Sequence, residues 1–271
     1  MEAVFVKLGG SLITEKTREA TARLNVIARL AQELRAALDA KPELRILLGH
    51  GSGSFGHFAA RRYGVHTGLA GRQDWTGLAQ TSAAAARLNR LVADACLAAG
   101  VPAISFQPSA SAHRRRGRIV HMATEPLVEA LARGLVPLVY GDVVFDAEQG
   151  TAIISTEDIF VYLADAIVPD RVLMLGVVDG IYNSDPLRNR KSRCIPVITP
   201  AMMQQVRGGL GASHGIDVTG GMLGKVSTLL PLLDKHPGMQ IHFFSGEVPG
   251  RLRDALLGAG ESFGTVLRAD T

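Results

Sequence analysis

The chain has 271 residues, of which 47% are hydrophobic and 20% charged, with 30 glycines, 12 prolines and a formal net charge of +4. A chain this long buries roughly three-quarters of its extended surface on folding, so it builds a core without disulfide or metal staples. Its apolar fraction and modest charge exclude collagen-like, low-complexity and disordered classes.

In chain order, Val4-Phe5-Val6-Lys7-Leu8 reads as a buried strand running into Gly9-Gly10-Ser11. Residues 20–40 carry Leu24, Ile27, Leu30, Leu34 and Leu38 at helical spacing, and Pro42 closes that helix. Leu44 to Leu48 is a second strand that ends in Gly49-His50-Gly51-Ser52-Gly53-Ser54-Phe55-Gly56-His57. A long helix over 74–99 stops at Gly100. Strand 101–106, an arginine-rich loop, a helix over 125–133 and strand 135–140 follow. The second half adds a helix over 158–166, strand 171–176, a turn-rich stretch to Pro200 and a short helix over 201–207. Helix 222–235, strand 239–245, helix 251–257 and strand 265–267 complete it. Strands alternating with helices predict a largely parallel sheet covered on both faces. Ligands gather at the carboxyl ends of such strands, where this chain places its glycine-rich turns.

No apolar run approaches the ~20 residues of a spanning helix, and the opening residues meet a charge and two glycines too soon for an export signal. Cys96 and Cys194 alone make neither a disulfide framework nor a metal cluster, so a reducing cytoplasm is expected. The sequence pI is near 9.3, but the densest basic run, Arg114-Arg115-Arg116 with Arg118, has no interleaved aromatics. It reads as a solvated loop, with polyanion contact as the alternative; neither nucleic acid nor membrane is expected as a partner.

Three glycine clusters flank regular elements: Gly9-Gly10-Ser11, Gly49 to Gly56, and Gly220-Gly221-Met222-Leu223-Gly224-Lys225. Glycine lets backbone N–H groups converge on an anion. Tight turns would explain any one cluster; three together, with lysine or histidine beside them, point to anion binding. The lysines are Lys7, Lys16, Lys41, Lys191, Lys225 and Lys235, and the first, second and fifth lie in or beside the glycine turns. A lysine ammonium is a mobile point charge suited to a transferring phosphoryl group. For Lys7 a structural ion pair competes with that role, and for Lys16 a solvated surface position does.

Two phosphate motifs fail. Gly51-Ser52-Gly53-Ser54-Phe55-Gly56 satisfies G-x-G-x-x-G, but the stretch from His57 to Gly71 is too short and glycine-broken for a crossover helix and strand. Thr219 stands where a Walker A glycine belongs, and Val226 follows Lys225. Acidic residues collect in three turns: Asp142 after Tyr140-Gly141, Glu157 and Asp158 after Ser155-Thr156, and Asp179 and Asp185 around Val178 to Pro186. Each has an ordinary reading as a turn former or first-turn helix charge. Together on the ligand edge, they can orient lysines or hold magnesium through water.

These residues resemble the amino acid kinase superfamily and, within it, the isopentenyl phosphate kinases, across nearly the whole chain. Lys7-Leu8-Gly9-Gly10-Ser11 is similar to the superfamily's opening phosphate loop. Asp179-Gly180-Ile181-Tyr182 with Asp185-Pro186, and Asp217-Val218-Thr219-Gly220-Gly221-Met222 with Lys225, resemble its nucleotide segments. Ser54-Phe55-Gly56-His57 resembles the loop whose histidine holds the acceptor phosphate, and Ile13-Thr14-Glu15-Lys16 the stretch with an additional catalytic lysine. Relatives usually show Ser-Gly-Asp-Asp where this chain has Ser155-Thr156-Glu157-Asp158. Thr156 would add bulk where a glycine approaches the acceptor, and Glu157 is longer than aspartate.

The resemblance implies an α/β fold, a three-layer αβα sandwich with a central, mainly parallel sheet. It implies one domain over 1–271, with an acceptor-binding lobe at about 1–165 and a nucleotide-binding lobe at about 166–271. It implies a homodimer, ATP as phosphoryl donor, Mg2+ held mainly by ATP phosphates and water, and isopentenyl phosphate as acceptor. Lys7, Lys16, His57 and Lys225 would be catalytic. Gly51, Ser52, Gly53, Ser54, Gly56, His57, Gly141, Asp142, Thr156 and Glu157 would hold the acceptor. Lys7, Gly9, Gly10, Ser11, Gly53, Asp179, Tyr182, Asp185, Gly221 and Lys225 would hold ATP. An apolar pocket near Phe58, Tyr63, Phe106, Tyr140 and Ile159 would take the five-carbon tail, unless these residues are core. Competing readings are a kinase for another phosphate, phosphonate (such as fosfomycin), carboxylate or carbamate acceptor, a non-catalytic nucleotide sensor, and an NAD-binding module on Gly51 to Gly56.

Overall fold

The computed structural model describes residues 2–69, 75–184, 191–203 and 221–270. Asp74, Asp185, Asp217 to Gly220 and the end of the helix expected over 201–207 lie outside these residues. Strands β1 (Ala3–Leu8), β2 (Arg45–His50), β3 (Ala103–Ser105), β6 (Val136–Tyr140), β9 (Arg171–Gly176), β10 (Val197–Ile198), β11 (Gln240–Ser245) and β12 (Thr265–Leu267) form an eight-stranded sheet ordered β10-β12-β11-β9-β1-β2-β6-β3. The run β11-β9-β1-β2-β6 is parallel throughout, and β12 is antiparallel to β11. The five parallel carboxyl ends therefore share one edge, and Leu8 is level with both His50 and Leu175.

Helices cover both faces. On one side α2 (Leu24–Ala40) buries Val26, Ile27, Leu30, Leu34 and Ala37, its apolar stripe, together with α4 (Thr76–Ala98) and α9 (Arg251–Leu256). On the other lie α5 (Glu125–Ala132), α6 (Thr156–Leu163) and α7 (Gly221–Leu229). The period of two in β1 sorts its residues between the layers. Val4, Val6 and Leu8 join the α2 side, and Phe5 joins the α6 side. Lys7 continues the register of Phe5 and so faces α6.

Two expectations are corrected. The helix expected over 222–235 is two helices, α7 and α8 (Pro231–Lys235). Pro231 has no N–H to extend the first and sits well in the first turn of the second. The arginine-rich loop is instead a hairpin of β4 (His113–Arg115) and β5 (Arg118–His121), joined by Arg116 (φ 49°) and Gly117 (φ 77°). Two successive positive φ values match the twist of a two-residue hairpin.

A further hairpin went unread in the sequence: β7 (Asp142–Asp146) and β8 (Gly150–Ile154) complete a second sheet ordered β5-β4-β7-β8. Its turn is held by Asp146 Oδ1, which accepts from the N–H groups of Glu148 and Gln149, each at 2.9 Å. Among the described residues no helix is long and apolar enough to cross a membrane.

Candidate active site

The first glycine turn leaves β1 and enters a single-turn helix, α1 (Gly10–Ile13); the second leaves β2 and enters α3 (Gly53–Tyr63). Adjacent parallel strands thus bring two turns side by side, and the glycines let them touch. A Cβ on Gly10 would lie 2.6 Å from Gly53 N, and one on Gly51 would lie 2.9 Å from Gly10 N. Gly53, at φ +50°, has no room for a side chain because Thr14 Oγ1 stands 2.3 Å from where its Cβ would be. Buried Thr14 fastens the turns together: its hydroxyl donates to the Gly10 carbonyl (2.7 Å) and accepts from Ser54 N–H (3.0 Å). The opening amides of a helix have no intrahelical acceptor, so the first turns of α1 and α3 concentrate donors at this contact.

Lys7 is 6% exposed and forms an ion pair with Glu157 on α6, itself 2% exposed. Burial opposes the charge on Glu157, but the ammonium groups of Lys7 and Lys225 hold its carboxyl below the ordinary carboxylate value. The three residues from β1, α6 and α7 therefore form one charge cluster with excess positive charge. Asp158 does not join it: with Ser155 it closes a reciprocal capping box at the start of α6.

Thr156 behaves differently from the sequence expectation. Its side chain is turned inward, with the hydroxyl donating to the His50 carbonyl at 2.7 Å. Its methyl takes the space a side chain on Gly49 would need, 2.5 Å from that Cβ position. The added bulk is absorbed by Gly49 rather than projected toward an acceptor.

Asp142 opens β7 and is buried rather than exposed in a turn. Burial pushes its carboxyl pKa up, against the lowering effect of hydrogen bonds from Ser109, Val143 and Ser82. Ser109 N–H donates to Oδ2 at 3.2 Å and Val143 N–H to Oδ1 at 2.8 Å. Gly141 N–H donates to the His50 carbonyl at 3.0 Å, which places Gly141 beside the second glycine turn.

His57 stands four residues after Gly53 on α3, half-buried. Residues four apart share a helix face, so His57 lies on the same face of α3 as Gly53, one turn from the glycine turn. Lys16 occupies an exposed turn between Thr14 and α2. On the far side of β9, Asp179 is held by Arg251 at 2.5 Å, and the guanidinium lies 5.2 Å from the Phe263 ring centroid. Tyr182 bridges Cys194, and Gly221 begins α7 four residues before Lys225. Of the residues proposed for the tail pocket, Ile159 belongs to the core and Tyr140 stacks on a histidine; Phe58, Tyr63 and Phe106 are half-buried.

The sequence reading missed His50 and Asn89. His50, at the end of β2, is wholly buried and stacks on Tyr140 of β6, with ring centroids 5.5 Å apart. Its Nδ1 lies 3.1 Å from the Gly51 carbonyl, and its Nε2 lies 3.2 Å from the amide nitrogen of Asn89 on α4. Burial, aided by the charge of Lys7 and opposed by the Gly51 hydrogen bond, pushes the imidazole pKa down to about 4. A signal existed in α4, where Ser82 and Asn89 stand two turns apart in an otherwise alanine- and leucine-rich stretch.

Comparison with known proteins agrees with this architecture. The profile of the amino acid kinase family matches residues 2–245. The isopentenyl phosphate kinase of Methanothermobacter thermautotrophicus is 36% identical over 263 residues, covering 94% of this chain and 95% of the relative. That of Haloferax volcanii is 33% identical and covers 100% of both. An isopentenyl phosphate kinase solved by X-ray methods superposes with a TM-score of 0.84 at 33% identity, covering 98% of this chain and 100% of that one.

Proposed function

We propose that this chain, which belongs to the amino acid kinase family and within it to the isopentenyl phosphate kinases, transfers the γ-phosphoryl group of ATP to isopentenyl phosphate. The observation that carries the reading is the approach of the two glycine turns at Gly10 and Gly53 beside the Lys7–Glu157–Lys225 cluster. One turn suits the nucleotide's phosphates, the other an acceptor's phosphate, and backbone contact sets the two within reach.

The acceptor is a phosphate monoester with a second pKa of about 6, so its attacking oxygen is ionised at neutral pH. No general base is required, unlike in kinases that phosphorylate hydroxyls. The oxygen attacks the γ-phosphorus, a new phosphoanhydride bond forms, and the bond to the bridging oxygen of ADP breaks. The remaining obstacle is repulsion between two polyanions, which positioned cations and N–H groups offset. Lys7 and Lys225 serve the β- and γ-phosphates, with Glu157 keeping both charged and oriented. Lys16 follows the transferring group, while His57 and the amides of Gly53 to Gly56 grip the acceptor. Asp179 and Tyr182 are assigned to the rest of the nucleotide on the strength of the family resemblance alone.

Magnesium enters with ATP in this reading. Glu157 pairs with Lys7, and Asp142 accepts from Ser109 and Val143, so phosphate oxygens and water would supply most of its ligands. When bound it neutralises phosphate charge.

The test is an acceptor panel of isopentenyl phosphate, dimethylallyl phosphate, fosfomycin and small carboxylates or carbamates with Mg-ATP, with products identified by phosphorus NMR. Isopentenyl diphosphate is the expected major product; phosphonate or acyl phosphate products, or none, would overturn the assignment. Lys16→Met is expected to lower kcat by about tenfold or more while changing either KM by less than about threefold, as for a group that acts chiefly in the transition state. Steady-state kinetics check it, and an unchanged kcat removes Lys16 from the catalytic set.

A further inference from the structure

We infer that His50 is a positioning residue that turns the Gly51–Ser52 peptide so that the Ser52 N–H faces the acceptor phosphate, with Asn89 selecting the tautomer that does so. The inference rests on the kinase reading above for the identity of the phosphate, and on geometry for everything else.

The Gly51 carbonyl can only accept, so the Nδ1 that lies 3.1 Å from it carries the ring proton. Nε2 is then an acceptor in the neutral ring, and the Asn89 amide N–H donates to it. Both ring nitrogens are thereby satisfied in a group with no exposure to water. In a trans peptide the C=O and the following N–H point in opposite directions. Holding the Gly51 oxygen toward the His50 ring therefore turns the Ser52 N–H away from that ring. Ser52 N lies 3.7 Å from the place a Cβ on Gly141 would occupy, between the two acceptor-side segments.

The same histidine's main chain ties those segments together. Its carbonyl accepts from both Gly141 N–H and Thr156 Oγ1. Gly51 needs such external control. Having no Cβ, it resists a peptide flip weakly, and a flip would replace a donor with a carbonyl oxygen facing an anion.

The first measurement uses wild-type protein labelled with nitrogen-15. A long-range imidazole correlation should show His50 protonated at Nδ1 and bare at Nε2. Addition of inorganic phosphate should move the Ser52 amide proton downfield. An Nε2-protonated ring, or a Ser52 amide indifferent to phosphate, overturns the inference without reference to turnover.

The second uses variants. His50→Phe keeps the stacking on Tyr140 but loses the donor, and should raise the acceptor KM tenfold or more while changing the ATP KM less than threefold. His50→Asn places an amide N–H near the position of Nδ1 and should return the acceptor KM to within threefold of wild type. Equal losses in both variants would mark His50 as a packing residue and sink the positioning role. Failure of the wild type to turn over isopentenyl phosphate would instead sink the kinase reading, leaving the tautomer and phosphate-shift results to stand or fall separately.

Discussion

Replacing His57 by alanine is expected to lower kcat/KM for isopentenyl phosphate by about 100-fold, equivalent to about 2.7 kcal/mol of transition-state stabilisation. The size follows from losing one charge-assisted hydrogen bond to a phosphate in a partly desolvated site, which contributes about 1.5–3 kcal/mol. The effect should fall on the acceptor. His57 lies one turn into α3, on the helix that leaves β2, whereas Asp179, Tyr182 and Lys225, proposed above for the nucleotide, follow β9 or lie on α7. The ATP KM should therefore change by less than about twofold. The fold should survive, since His57 is half-buried and outside both core clusters. Steady-state kinetics with each substrate varied in turn check this. Unaltered acceptor kinetics in a folded His57→Ala protein would remove the imidazole from the site.

The second large effect is expected at Glu157. Glu157→Gln leaves the Lys7 ammonium buried without its counter-charge, and breaking a buried pair from one side costs about 3–5 kcal/mol. For a protein of this size that is a fall of about 10 °C in Tm. Turnover should drop by about 100-fold or more, because Lys7 would then lose its charge or its direction toward the phosphates.

A double replacement separates the two consequences. Lys7→Met with Glu157→Met substitutes apolar volume for the pair and should restore most of the stability while activity stays lost. Recovery of activity in the double variant would contradict the assignment.

The pH dependence has a definite sign. Glu157 titrates below its ordinary value of 4.5, so its stabilising contribution is complete above pH 4.5 and is lost as pH falls through its lower, folded-state pKa. The stability difference between wild type and Glu157→Gln should be constant from pH 5 to 7 and shrink in stronger acid, as read by denaturant unfolding at each pH.

Much of the scaffold could be read along the chain because its causes are local. The period of apolar residues in 24–40, the β-branched run of Val4 and Val6, and the glycines after β1 and β2 act within a few residues of themselves. The family's motifs at Lys7 to Ser11 and Ser54 to His57 are equally local, and they point to phosphate chemistry from the sequence alone. The β7–β8 hairpin is less legible: its turn is made by the Asp146 side chain accepting two backbone N–H groups, and its one local signal is a single glycine, Gly150 at φ 75°, at the start of β8. The break at Pro231 is legible in the sequence, because proline cannot extend a helix.

The pairings across the sheet depended on the tertiary structure. Strand order and register put Lys7 on the α6 side and His50 on the α4 side, although the two residues belong to neighbouring strands. A period of two decides which face each residue takes; which helix waits on that face is decided by packing 150 residues away for Glu157, and 39 away for Asn89. Thr156 makes the same point: its bulk is obstructive in isolation and is accommodated because Gly49, on β2, leaves the space empty. The amino-acid sequence alone determined which chemical groups the protein carries and which local turns present them. Only the folded sheet determined which charge faces which, because that depends on distances between segments that no local interaction relates.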